Sequence, residues 1–414
     1  MMKNRVVVTG MGAVTPIGNS VPEFLEGMLA GKSGAAPITR FDASQHPTKF
    51  ACEVKNLKLD DYIPLREAKR MDPFCQYAMV AADQALKDSG IDLERVNRDR
   101  CGIIVGSGIG GIPIFEAQAK DMIEGGPRRL SPFFIPMMIS DIAAGQISIK
   151  YGLKGVNFAT TSACATGNHA IGVALRHLQF GDADVILAGG SEGSITPMGV
   201  GGFNAMKAIS TRNDDPQHAS RPFDLDRDGF VIGEGAGILI LETLEHARKR
   251  GAKIYCELVG MGFTADAHHI TAPSPDGEGA ARAMKQALQD GEVLPEDVDY
   301  INAHGTSTPY NDKTETQAIK TVFGESAYKL NISSTKSMTG HLLGAAGSVE
   351  SIACILAIQN GVIPPTINYQ TPDPECDLNI TPNQPVERKV RAALNNAFGF
   401  GGHNACLVFK AFQE

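Results

Sequence analysis

The chain has 414 residues, 43% hydrophobic and 20% charged, with 38 basic against 46 acidic side chains for a net charge of −8. That length exceeds what one hydrophobic core usually fills, so two domains or fused halves are expected. The acidic balance speaks against a nucleic-acid footprint over the whole surface and leaves room only for local basic patches.

Cysteines 52, 75, 101, 164, 256, 354, 376 and 406 are scattered with no CxxC pair. A disulfide framework and a structural zinc site are therefore not expected. MMKNRVVVTGMG runs straight into an apolar strand pattern with no h-region or cleavage site, and no apolar stretch of about 18 residues is read. No membrane span is expected, and the cytoplasm is the default location.

In chain order, Arg5–Thr9, Gly102–Gly106, Val185–Gly189 and Ile238–Leu241 read as buried strands, and Gln76–Asp88 and His169–Phe180 as helices on apolar spacing. This alternation predicts α/β layers, with helices packed on both faces of sheets. Val156–Gly190 and Leu330–Gly361 each read as a short strand, a small-residue turn carrying a reactive side chain, and a helix ending near Gln-x-Gly. RVVVTGMGAVTP and IYCELVGMGFTA form a weaker second echo. The expectation is a duplicated α/β unit with halves 1–252 and 253–414, packed as one body because no Pro/Ser-rich linker separates them.

Two motifs are discounted. GSGIGG at 106–111 matches GxGxxG after a strand, but no βαβ unit ending in an acidic residue follows, and Glu124 is read in a polar turn. A dinucleotide-binding oxidoreductase is thus the weaker reading, and the loop is expected to let the backbone or Ile109 approach a pocket. DLDRDG at Asp224–Gly229 opens like a calcium loop, but the twelfth position is Gly235, so it reads as a polar turn before a strand at Phe230. His268, His269, His304 and His341 fit no zinc spacing, and no metal is expected.

Cys164 in TTSACATG lies between a strand and a helix, where the helix dipole favours thiolate. Cys101, Cys256, Cys354 and Cys406 fall inside strand or helix patterns and read as core. His304 follows the strand Tyr300–Ala303, and His341 stands in the turn that echoes the Cys164 turn. Two strand-end histidines and a thiol suit acyl chemistry, donating to a developing oxyanion or enolate or moving protons.

TTSACATG, NAHGTST around His304, TKSMTGHLLGAAGSVE around His341, RPFDLDRDGFVIGEGAG and NNAFGFGGHNA together resemble the signatures of the β-ketoacyl–acyl-carrier-protein synthases, end to end and in family order. The Cys-His-His set is similar to the elongating members, most of all the synthase II type. The resemblance implies the five-layered αβαβα thiolase fold. It implies decarboxylative condensation of an acyl-Cys164 intermediate with malonyl-carrier protein, with His304 and His341 on the enolate and the backbone N–H groups of Cys164 and Phe400 as oxyanion hole. Lys336 and Glu350 match supporting residues. Thr306, Thr308 and Thr271 match positions that bond the carrier's pantetheine arm; Phe400 matches the gate over the acyl pocket and Ile109 its wall. Arg66, Lys69 and Arg70, read on one face of a helix-like segment, match a docking patch for acidic carrier protein together with Arg128, Arg129 and Lys207. No resident cofactor is implied, since 4′-phosphopantetheine travels on the carrier, and a homodimer is. Alternatives are a synthase I or polyketide-type ketosynthase, or a non-catalytic partner resembling the chain-length factors. The preferred chain length is not legible.

Overall fold

The computed structural model describes residues 3–414. Ten strands carry the fold: β1 (Val6–Val14), β2 (Cys101–Gly106), β3 (Asn157–Phe158), β4 (Val185–Glu192), β5 (Gly235–Thr243), β6 (Cys256–Ala265), β7 (Tyr300–Asn302), β8 (Asn331–Ser333), β9 (Ala392–Gly399) and β10 (His403–Lys410). They lie side by side in the order β8-β7-β9-β10-β6-β1-β5-β4-β2-β3. The first five strands thus read β3-β2-β4-β5-β1 and the last five β8-β7-β9-β10-β6, the same order used twice. Pairing directions repeat as well: β2 is parallel to β3 and β4, as β7 is to β8 and β9, and the other pairs within each set are antiparallel. The two sets join through Val7 opposite Glu257 and Val8 opposite Cys256.

Six helices sandwich these sheets: α1 (Pro73–Ser89), α2 (Ile142–Tyr151), α3 (Thr166–Phe180), α4 (Glu278–Asp290), α5 (Pro309–Phe323) and α6 (Ala346–Asn360). α1 starts where Asp72 accepts from the Phe74 N–H at 3.3 Å and Pro73 fits the first turn, and it stops at left-handed Gly90. Its alanine-rich inner face and α2 pack on one side of the first sheet. α4 and α5 pack on the outer side of the second sheet. α3 and α6 fill the centre, and α6 is buried through Ala357 because both of its sides face protein.

Glycines set how closely these layers approach. A Cβ on Gly12 would lie 1.9 Å from the Ala81 carbonyl oxygen of α1, and one on Gly262 would lie 1.9 Å from that of Ala283 in α4. The two GMG segments are therefore the same contact, sheet against outer helix, made once in each half. Gly12→Ala and Gly262→Ala are each expected to destabilise the fold by about 1–3 kcal/mol or more through overpacking. Equal thermal unfolding midpoints in variant and parent would show that the helices move aside freely.

Several expectations need correction. The strand read at Phe230 begins only at Gly235; Phe230 and Ile232 make isolated bridges to Ile209 and His341. Leu343–Asn360 is in fact long and apolar enough to cross a membrane, with mean hydropathy 1.2, but 83% of it is buried, as the central layer requires. Glu124 is not in a turn but in the helix Ile112–Gly125. Only Leu65–Ala68 is helical in the Arg66–Arg70 segment, so a shared helical face does not align Arg66, Lys69 and Arg70; all three are exposed, and the Arg70 guanidinium covers the Phe133 ring at 4.4 Å.

Candidate active site

The ends of the central helices meet the ends of the strands at one cavity of about 630 Å³, lined by Cys164, His304, His341, Phe398 and Phe400 among others. Cys164 sits in a tight turn, Ala163–Ala165, that runs into α3. Ala163 takes φ of 49°, a left-handed conformation that costs a non-glycine residue energy and aims the next side chain out of the helix line. Burial pushes the thiol up to about 12, so the helix terminus does not by itself deliver the thiolate expected from sequence. Lys336 and the backbone N–H groups of Phe400 and Cys164 act the other way. Those two N–H groups face the sulfur because Gly399 lets β9 close on the turn: a Cβ there would lie 2.6 Å from the Ser162 oxygen and 3.2 Å from the Cys164 nitrogen.

His304 and His341 come from strand ends in the second half, and their rings meet edge-on with centroids 5.3 Å apart and planes at 85°. Phe230 packs against His341 and Phe398 against His304. Burial, then the nearby Lys336 charge, holds both imidazoles well below their ordinary value, so both are neutral. The Nδ1 of each ring is buried without a hydrogen-bond partner among the described residues. Because protonation would place charge in a dry site beside an ammonium, their C2–H resonances are expected not to titrate between about pH 8 and about pH 6. A midpoint near 6.5 in an NMR titration would contradict this environment. In the unfolded chain these rings take up protons as pH falls through about 6.5, so their burial makes the fold less stable on acidification.

Lys336 and Glu350 form a fully buried ion pair behind the histidines, both under 4% exposed, rather than lining the cavity. Thr306, Thr308 and Thr271 all line it, with the Thr306 and Thr308 hydroxyls 2.9 Å apart. Arg227, from the discounted calcium-like segment, donates to the Thr308 and Pro309 carbonyl oxygens, while Asp224 accepts from the Gln370 and Thr371 N–H groups at 2.6 and 2.7 Å. That segment is therefore a loop brace. Lys207 stands exposed at the mouth, whereas Arg128 and Arg129 are exposed on a separate turn that does not line the cavity. Ile109 does not line it either: it is 43% exposed, because its loop is tied down from beneath by Glu192.

Sequence reading missed two carboxylates. Glu315 on α5 accepts from the His304 and Gly305 N–H groups, both at 2.8 Å, and from Asn396, and burial raises it to about 7. Its setting, DKTETQ, looks like a solvated helix face; only its spacing with Ile319 hints otherwise. Glu192 ends an apolar strand and reads as the start of a loop.

These features match a known family. The family model described as Beta-ketoacyl synthase, N-terminal domain, matches residues 3–247, and that described as Beta-ketoacyl synthase, C-terminal domain, matches residues 255–370. The chain is 54% identical over 411 residues to a 3-oxoacyl-[acyl-carrier-protein] synthase 2 from Synechocystis sp., and 52% identical over 408 residues to one from Coxiella burnetii, each covering 99% of both chains. Among solved structures it is similar to a type II PKS ketosynthase in complex with its acyl-carrier protein, at TM-score 0.92 and 38% identity over 99% of this chain and 100% of that one. It is also similar to a beta-ketoacyl synthase from Burkholderia phymatum, at TM-score 0.92 and 35% identity with the same coverage. The layered architecture they share is the thiolase fold. Repeated sheet topology, site geometry and these likenesses agree: the chain belongs to the β-ketoacyl synthase family.

Proposed function

We propose that Cys164 attacks the thioester of an acyl-carrier protein, takes the acyl group and releases the carrier's thiol. Malonyl-carrier protein then enters and loses CO2, leaving a thioester enolate whose oxygen accepts hydrogen bonds from His304 and His341. The enolate carbon attacks the acyl-Cys164 carbonyl, and the oxyanion is held by the N–H groups of Cys164 and Phe400. Collapse expels the Cys164 thiolate and yields 3-oxoacyl-carrier protein. This is the elongating condensation of fatty acid synthesis, an acyltransferase reaction. The observation that carries it is the thiol facing two backbone N–H groups in the same cavity as two neutral imidazoles. Neutral rings suit this chemistry, because they donate to an enolate without surrendering a proton that would quench it.

In this reading Lys336 tunes the histidines electrostatically and Glu350 neutralises it. Thr306, Thr308 and Thr271 receive the pantetheine arm, Phe400 gates the acyl pocket, and Lys207 at the mouth meets the acidic carrier with Arg66, Lys69, Arg70, Arg128 and Arg129 as outer docking contacts. No resident cofactor takes part, and the working protein is a cytoplasmic homodimer. The polyketide alternative rests on a likeness of 38% to the type II PKS ketosynthase, weaker than the 52–54% to the 3-oxoacyl-[acyl-carrier-protein] synthases 2. Incubation with acyl-carrier protein followed by peptide mass spectrometry is expected to place the acyl group on Cys164. An adduct on another cysteine, or none, would overturn the mechanism.

A further inference from the structure

The duplicated fold makes the Ala163–Ala165 turn and the Leu343–Ala345 turn counterparts. Both run directly into a central helix, and Leu343 takes φ of 48° where Ala163 takes 49°. Cys164 in one turn thus corresponds to Gly344 in the other. The axis passes between the central helices, where a Cβ on Gly167 would lie 2.7 Å from the Ser348 nitrogen and one on Gly347 would lie 2.9 Å from the Asn168 nitrogen. Strand register extends the match. Gly12 pairs with Ile238 and Ile238 with Gly189, as Gly262 pairs with Cys406 and Cys406 with Asn396, which sets Glu192 and Gly399, the residue before Phe400, at equivalent strand ends.

The partners are exchanged across this axis. Phe400, from the second half, brings its N–H to the Cys164 turn of the first. Glu192, from the first half, brings its carboxylate to the Gly344 turn of the second. The Gly344 and Gly108 N–H groups donate to its Oε2 at 3.0 and 2.9 Å. The Ser107 and Ser194 hydroxyls and the Ile109 N–H donate to its Oε1 at 2.9, 3.0 and 3.4 Å. The side chain is fully buried. There is no space for a larger group: a Cβ on Gly108 would lie 2.7 Å from Glu192 Oε2 and 3.2 Å from both the Ala163 oxygen and the Gly344 nitrogen. This packing accounts for Gly108, the second glycine of GSGIGG, without a nucleotide.

We propose that Glu192 is a positioning residue: its carboxylate is seated on the Gly344 N–H, the counterpart of the Cys164 N–H of the oxyanion hole, and so locks the His341-bearing turn, the Ser107–Ile109 loop and the Cys164 turn into working register. The role in catalysis rests on the proposed condensation, whereas the buried carboxylate site does not. Five donors converge on one carboxylate, so removing it leaves buried N–H groups that any small carboxylate can satisfy.

The test uses the full chain with Glu192→Ala and Glu192→Gln, measured with sodium formate and with sodium chloride at equal ionic strength. Formate, but not chloride, is expected to raise the thermal unfolding midpoint of Glu192→Ala while leaving the parent unchanged. Condensation by Glu192→Ala is expected to fall about a hundredfold in kcat with little change in KM, as for a misplaced reacting group, and to recover with formate. Glu192→Gln fills the same space but cannot accept all five hydrogen bonds, and is expected to be about tenfold slower. Wild-type turnover in Glu192→Gln, or equal responses to formate and chloride, would overturn the proposal; if Glu192→Ala fails to fold, Glu192→Gln decides it. Formate stabilisation of Glu192→Ala in a protein whose parent form does not condense would preserve the anion site and reject the catalytic reading instead.

Discussion

Replacing Cys164 by alanine is expected to lower condensation about a thousandfold or more, while decarboxylation of malonyl-carrier protein continues. The two half-reactions use different groups in the same cavity. Alanine removes the only thiol that lines it among the described residues, yet leaves His304 and His341 packed edge-on as before. His304→Ala and His341→Ala are expected to do the reverse: the acyl adduct still forms on Cys164, but decarboxylation falls about a hundredfold as an enolate donor is lost. Release of CO2 and adduct mass, measured on all three variants, separate the steps. Wild-type decarboxylation in both histidine variants would remove their role at the enolate.

The second large effect concerns stability. Lys336→Met is expected to destabilise the fold by about 3–5 kcal/mol, because it strands the Glu350 carboxylate in the protein interior. Among the described residues Glu350 has no alternative partner, since its second oxygen already lacks one. The double variant Lys336→Met/Glu350→Leu, which removes both charges and keeps the volume apolar, is expected to regain most of the loss. Denaturant unfolding of the two variants and the parent measures this directly, and equal losses in single and double variants would show that packing, not the stranded charge, sets the cost. The same substitution has an electrostatic signature. Lys336 lowers His304, His341 and Cys164 alike, so removing its charge raises all three. The thiol then ionises less readily, which slower alkylation of Cys164 would reveal.

Stability and function are coupled here through burial. Water is excluded so that a carbanion survives, but exclusion also penalises every charge needed nearby. The site answers with an ion pair kept out of the cavity, neutral imidazoles within it, and a carboxylate, Glu192, bonded on both oxygens. Glu315 meets the same constraint from the other direction. Its raised value of about 7 means that the folded form holds a proton the unfolded chain would release, so its contribution fades as pH rises through about 7, opposite in sign to the histidines.

The layered class, the repeated unit and the three side chains that meet in the cavity, Cys164, His304 and His341, are all legible in the order of residues. Strand and helix patterns are local, and the Cys164 and His341 turns carry their glycine, alanine and threonine signatures within a few residues. Protonation and the supports around the site emerge only once the chain is folded. A helix terminus predicts an ionised Cys164, but its burial depends on strands hundreds of residues away, and burial outweighs the dipole. The glycine-rich loop predicts Ile109 as a cavity wall, but Gly108 in it makes room for a carboxylate arriving from β4. Spacing predicts Arg66, Lys69 and Arg70 on one helical face, but the helix Leu65–Ala68 ends too soon to align them. Periodicity records which residues face inward, but not what meets them there, because a buried carboxylate and a solvated one have the same letter.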